Sequence, residues 1–387
     1  MPLTHFRPTP LALLVIFGFG SGITQAQTAT PILDNLTFRA GLGFQHNDNF
    51  FRSASATAVS EQVFTQSVGA RLSIPVSLQR FEFDIGATNN HHDNFSSFDY
   101  VGKNYSAAWR WSFTPQLHGN VSSARTETLN APTDSLNPAL RNKNATTTHS
   151  FDAVYEFGGP WQILAGSSRI TSLNEQPLIG ITNERSTTYN AGIRYLLSSG
   201  NSLAYTLHHD TGNTGNSYKG QTHDFSGTWA VSGNTSLTGH LAYLTRDYAA
   251  APQFDYNGVA GGVTMNWRAT GKVTVNASWQ RGLASYQTAG ASHTLTDTLT
   301  LAPTWQVSPI TSLSAQYRYG IRSDQGNPTG APSSRKDKTH EASIVYSWQA
   351  RSFVTLNASL ARSRRTSNVA GLDYSDNLAG VSAQFSF

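Results

Sequence analysis

The chain closes on Ala379-Gly380-Val381-Ser382-Ala383-Gln384-Phe385-Ser386-Phe387, with an apolar side chain at every second position and a small or polar one between. Successive side chains of a strand point to opposite faces, so this segment has one apolar face and one small or polar face. A two-residue period that stops on an aromatic is the pattern of the last strand of an outer-membrane β-barrel. Phe385 and Phe387 are then expected to form the assembly signal that delivers the strand to the barrel-assembly machinery. The competing reading is an edge strand of a soluble all-β domain.

The other end of the chain bears on compartment. Arg7 precedes an apolar run over residues 11–19, followed by the small-residue site Thr24-Gln25-Ala26. This reads as a secretory signal over residues 1–26, with cleavage expected after Ala26, and leaves 27–387 as one domain. The run is too short to cross a bilayer, and no other segment approaches the roughly 18 apolar residues that a membrane helix needs. Cysteine is absent, which fits a secreted Gram-negative protein closed by hydrogen bonds.

Composition agrees with a barrel. Hydrophobic residues make up only 38% of 387, thin for a conventional core of this length. A barrel with a wet lumen needs an apolar band only on its outer face. Tyr 15, Phe 20 and Trp 8 are enough for aromatic girdles at both interfaces, and 32 glycines serve turns and close packing. The charge of +4 is modestly basic and fits either a solvated loop surface or a preference for anionic solutes.

Alternating segments are joined by connections that are short and long in turn. The short ones, at 75–79, 114–116, 158–160, 198–201, 232–235, 270–272, 308–311 and 349–352, carry Gly, Pro, Ser or Asn. The long polar ones lie at 48–62, 94–104, 130–143, 174–185, 211–218, 249–253, 288–292, 323–336 and 366–373. Eight short and nine long connections predict about eighteen antiparallel up-and-down strands, with both termini in the periplasm and the long loops outside. The phase opposite the apolar one is the lumen, where Arg39, Arg71, Arg110, Arg194, Arg268, Arg318 and Arg322 are expected among Ser, Thr, Gly and Asn. Glu82, Asp84, Asp152, Glu156, Asp224 and Glu341 share that phase, so these charges either pair across the wall or form a cationic track for acidic solutes.

Four stretches carry a family resemblance. They are Asn47-Asp48-Asn49-Phe50-Phe51-Arg52, the run from Ser77 to Asp84, the run from Ala108 to Asn120 with its Trp109-Arg110-Trp111, and Ala191-Gly192-Ile193-Arg194-Tyr195. Together they resemble the EpsL-type outer-membrane proteins of exopolysaccharide biosynthesis in exosortase (PEP-CTERM) bacteria, most closely over residues 36–210. The resemblance implies a part in making or exporting an exopolysaccharide, with the polymer and periplasmic export components as partners, and supplies no catalytic residue. Read physically, Trp109-Arg110-Trp111 is an interfacial girdle with one lumenal arginine.

The alternative function is a general or small-solute porin. A hydrolase or metal site would have to use His91-His92-Asp93 or His208-His209-Asp210, but adjacent histidines on a strand face opposite ways. Glu82 and Asp84 share a face with Arg80, which favours ion pairing over acid/base chemistry. The glycine pair Gly261-Gly262 lacks the context of a phosphate-binding loop. No enzyme activity, cofactor, metal or nucleic-acid partner is therefore expected. The partners expected on physical grounds are outer-membrane lipid and the assembly machinery.

Overall fold

The backbone hydrogen bonds of these alternating segments are satisfied strand to strand around a closed ring. The computed structural model describes residues 35–130, 141–176, 183–198, 200–288, 290–330 and 335–387, so the expected signal sequence lies outside the described residues. The first nine strands are β1 Leu36–Asn47, β2 Glu61–Val76, β3 Gln79–His92, β4 Tyr100–Ser112, β5 Leu117–Leu129, β6 Lys143–Glu156, β7 Trp161–Asn174, β8 Glu184–Ser198 and β9 Asn201–Asn213. The rest are β10 Ser217–Ser232, β11 Thr235–Asp247, β12 Tyr256–Arg268, β13 Val273–Thr288, β14 Ala291–Ser308, β15 Thr311–Gln325, β16 Lys336–Arg351, β17 Val354–Ser367 and β18 Tyr374–Ser386. Each pairs antiparallel with the next, and β1 pairs with β18 to close an 18-stranded barrel.

Closure puts the terminal aromatics at the seam. Phe385 faces Ala40 and Val381 faces Phe44, while the Phe38 and Phe387 backbones exchange two hydrogen bonds of 2.9 Å. The Phe387 ring stacks on Phe353 at 5.9 Å. No edge is left unpaired, which a chain must achieve to cross hydrocarbon as strands.

Register carries one phase round the ring. Phe44 lies between Val381 and Phe64, Phe83 between Leu72 and Ala107, and Ile344 between Ala315 and Leu360. These outward side chains, Leu360 at 64% exposure among them, form the apolar band that meets lipid. Aromatics mark its short-turn rim, including Trp161, Trp229, Trp267, Trp305 and Trp348. Trp111 lies flat against its own wall there, because Gly119 leaves room: a Cβ at Gly119 would sit 2.6 Å from the Trp111 ring.

All eight expected short turns are present, but several long connections are shorter than their polar stretches suggest. β9 runs to Asn213 and β10 starts at Ser217, leaving 214–216 as the turn where a loop over 211–218 was expected. β4 begins at Tyr100, inside the expected loop 94–104. A ladder that rises above the membrane is wet on both faces, so apolar alternation stops marking it while its hydrogen bonds continue.

The phase assignment has a direct mutational test. Ala358→Arg, at an outward position four residues below Arg362, is expected to lower unfolding stability in lipid vesicles by about 2 to 4 kcal/mol, the cost of a cation near the bilayer midplane. Ser359→Arg, one residue away on the lumen face, should cost far less. Equal losses for the two would show the phase to be wrong.

Candidate functional site: the charged lumen

The inner wall carries a dense set of charges. All seven arginines singled out from the sequence fall on the lumen phase by strand register. Four of them ion-pair: Arg39 with Asp84 at 2.5 Å, Arg110 with Glu82 at 3.0 Å, Arg318 with Glu341 at 3.4 Å and Arg322 with Asp324 at 3.2 Å. Arg194 donates to the side-chain carbonyl of Gln162 at 3.2 Å, and Arg268 donates to the Gly233 carbonyl at 2.6 Å. Arg71 is exposed to the lumen and makes no ion pair among the described residues. Glu82 also lies 3.9 Å from Arg80, so the Glu82 and Asp84 carboxylates are ion-pair partners.

These groups form two tiers. Arg39, Arg71, Arg80, Arg110, Arg194 and Arg268 lie toward the short-turn end, where the Arg110 side chain is 63% exposed and the wall is open to water. A second tier near the long loops includes residues that the sequence reading missed. Arg52 reaches Asp376 at 3.8 Å and lies over Tyr374, Arg365 lies over the same ring at 4.9 Å, and Arg335 pairs with Asp337 at 2.7 Å. On the far wall Arg246 sits 4.2 Å above the Tyr218 ring and 3.9 Å from Asp210. Arg246 could have been found, since Leu241 and Tyr243 fix its phase as inward. Arg52 and Arg335 stand in loops, where periodicity says nothing.

Two aromatic clusters stand at the long-loop end on opposite walls. β1 and β10 stand nine strands apart in a ring of eighteen. Above β10 to β13, Tyr218, Tyr248, Ala251 and Tyr256 pack with Leu244, Phe254 and Leu283. The Tyr248 and Tyr256 hydroxyls both meet Ser285 Oγ. Above β1 to β3, Phe50, Phe51, Phe95 and Phe98 pack around His92, with Phe50 stacked on Phe95 at 5.9 Å. Asp99 anchors that loop, accepting from the His92 backbone N–H at 2.7 Å and bonding His91 Nδ1 at 2.7 Å. Partial burial pushes the Asp99 carboxyl up, but these bonds outweigh it and hold the group below the usual carboxylate range, so it is ionised at neutral pH.

The Asn47-to-Arg52 stretch thereby gains a physical meaning. Asp48 accepts from both Asn377 nitrogens, at 2.7 and 2.6 Å, across the β1–β18 seam. Asn49 is buried and donates to the Ser53 and Ser375 carbonyls at 2.8 and 3.0 Å. The histidine doublets do not build a chemical centre: His92 and His208 face the lumen, while His91 and His209 face outward. No group of three metal-binding side chains converges among the described residues.

Comparison with known proteins agrees with this geometry. A family model described as "Putative beta-barrel porin 2" matches residues 218–387, which correspond to strands β10 to β18. No curated protein matches. Among solved structures, OccK1 (OpdK) of Pseudomonas aeruginosa is 14% identical with a TM-score of 0.55, over 92% of this chain and 100% of that one. OccK2 (OpdF) of the same organism gives 14% and 0.56 over the same shares. A BenF-like porin of Pseudomonas fluorescens Pf-5 gives 13% and 0.54, also over 92% and 100%. With the lipid-facing band already described, these place the chain in the outer membrane as a porin-like β-barrel.

Ion selectivity reports how far the lumen charges cancel. In planar bilayers under a salt gradient, Glu341→Gln should shift the reversal potential toward anions by freeing Arg318, and Arg110→Gln should shift it toward cations. Absence of both shifts would place these side chains away from the conducting path.

Proposed function

We propose that this protein is a diffusion channel for small solutes, with a preference for those that carry a carboxylate. The observation that carries the reading is the two-tier arrangement of arginines on the lumen face. An arginine fork binds a planar carboxylate through two parallel hydrogen bonds, and a guanidinium has five N–H donors, more than one protein carboxylate takes up. An anion entering between the aromatic clusters would pass from the upper tier to the lower. The porin-like neighbours support the reading, and one of them, OpdK, has been solved with vanillate, an aromatic carboxylate. No enzymatic step is assigned.

A second reading rests on the resemblance of residues 108–120 to EpsL-type proteins: export of an exopolysaccharide, with the arginines holding acidic sugars. The same lumen chemistry serves either cargo, so size decides between them. Proteoliposomes holding the protein should swell faster in small organic acids than in neutral sugars of equal size, and should stay closed to long acidic oligosaccharides. A deletion strain that loses secreted polymer while keeping small-acid uptake would replace the small-solute reading with the export one. Termini in the periplasm and delivery by the assembly machinery through Phe385 and Phe387 form part of the same proposal.

A further inference from the structure

Not all of the basic residues face the lumen. On the outward face of β16 and β17, at the long-loop end, Lys336, Lys338, His340, Arg362 and Arg364 are all exposed. Register groups them tightly: His340 stands opposite Arg364, Lys338 opposite Thr366 and Arg362 opposite Ala342. Direct partners on antiparallel strands are about 5 Å apart and diagonal ones about 7 to 8 Å, so Arg364 has Lys338 on its diagonal and Arg362 two residues along its own strand, a row in which like charges repel. Their phase is that of Leu360 and Ile344, the lipid-facing one.

The lumenal arginines beside them, Arg318, Arg322 and Arg335, each face a carboxylate. The outward Lys336, Lys338, Arg362 and Arg364 make no ion pair among the described residues. Asp48, bonded to Asn377 next to Arg362, forms none with them. A different outward cation shows what self-sufficiency looks like: Arg281 holds Asp297 through two bonds of 2.8 and 2.9 Å. On the neighbouring strand two tyrosines flank the patch at the same register levels, Tyr319 opposite His340 and Tyr317 opposite Ala342. The Tyr317 hydroxyl bonds His340 Nδ1 at 2.9 Å, and the Tyr319 ring sits 4.8 Å from the His340 ring. Below these come Ile344 and Leu360, in the hydrocarbon band.

A cationic cluster at headgroup level over an apolar wall fits an anionic head that carries acyl chains. In single-chain outer-membrane barrels the long loops lie outside the cell, which puts the patch in the outer leaflet. We propose that this patch binds the phosphorylated head of an outer-leaflet glycolipid. Arg362 and Arg364 supply forked bonds to phosphate oxygens, Lys338 adds a point charge, and the acyl chains lie along Ile344 and Leu360.

The test compares full-length wild type with the triple variant Lys338→Ser, Arg362→Ser, Arg364→Ser. A control pair carries Arg281→Ser with Asp297→Ser. Each is purified in detergent and titrated with lipopolysaccharide and with its dephosphorylated form, with bound glycolipid read by native mass spectrometry. Wild type and control should retain the phosphorylated lipid, and the triple variant should retain at least about tenfold less, having lost its charge-assisted bonds. Wild type should bind the dephosphorylated lipid about tenfold more weakly too. Equal retention by the triple variant, equal binding of both lipids by wild type, or a change in oligomeric state with lipid retention unaltered would each overturn the proposal. If the triple variant lacks the heat-modifiable gel shift of a folded barrel, the wild-type comparison of the two lipids, with its expected weakening in high salt, decides alone.

Discussion

The structure depends on the pairing of its first strand with its last. Until β1 meets β18, both edges present open rows of backbone N–H and C=O groups, each costing several kcal/mol in hydrocarbon without a partner. Nine consecutive register pairs, from Arg39 with Ser386 to Asn47 with Leu378, remove that cost. The seam is tied at both ends: Phe38 and Phe387 exchange bonds at the short-turn rim, and Asp48 and Asn49 reach across to β18 at the long-loop rim. Loop 48–60 is thus both a latch on closure and part of the long-loop rim, where Phe50 and Phe51 pack in one of the two aromatic clusters.

Closure also divides the charges. A strand in a closed wall has one face in water and one in lipid, so every arginine within a membrane-spanning strand is assigned to a dielectric by the parity of its position. Inside, Arg39, Arg110, Arg318 and Arg322 each lie beside a carboxylate, which neutralises part of the wall, while Arg71 stays exposed. Outside, the same parity leaves Lys338, Arg362 and Arg364 without an ion pair among the described residues, at the level where the proposal places lipid headgroups. One rule, applied to both faces, accounts for the proposed solute path and for the proposed lipid site.

Much of this was legible in the sequence. Alternation such as Phe38-Ala40-Leu42-Phe44 fixes phase without any knowledge of the partner strand, so the eighteen strands and the seven lumen arginines could be read directly. The lengths of β4, β9 and β10 could not, because a strand wet on both faces has no apolar period. Arg52 and Arg335 were missed because loop geometry brings them to the lumen. The outward phase of Arg362 and Arg364 is readable from Leu356, Ala358 and Leu360, although charge on that face departs from the apolar pattern of the lipid-facing band. The resemblance to EpsL-type proteins drew attention to the Asn47-to-Arg52 stretch, whose bonds at the seam give it a structural role with either cargo.

The absence of cysteine from the chain allows the division between the two faces to be measured cleanly. Single cysteines at 380, 382 and 384, and at 381, 383 and 385, can be placed in turn along the closing strand and exposed in intact outer-membrane vesicles to a charged, membrane-impermeant thiol reagent. The even set should react at rates typical of aqueous thiols, because those positions face a water-filled lumen, and the odd set should be protected by lipid. Uniform reactivity, or protection of both sets, would contradict a closed barrel with a wet interior.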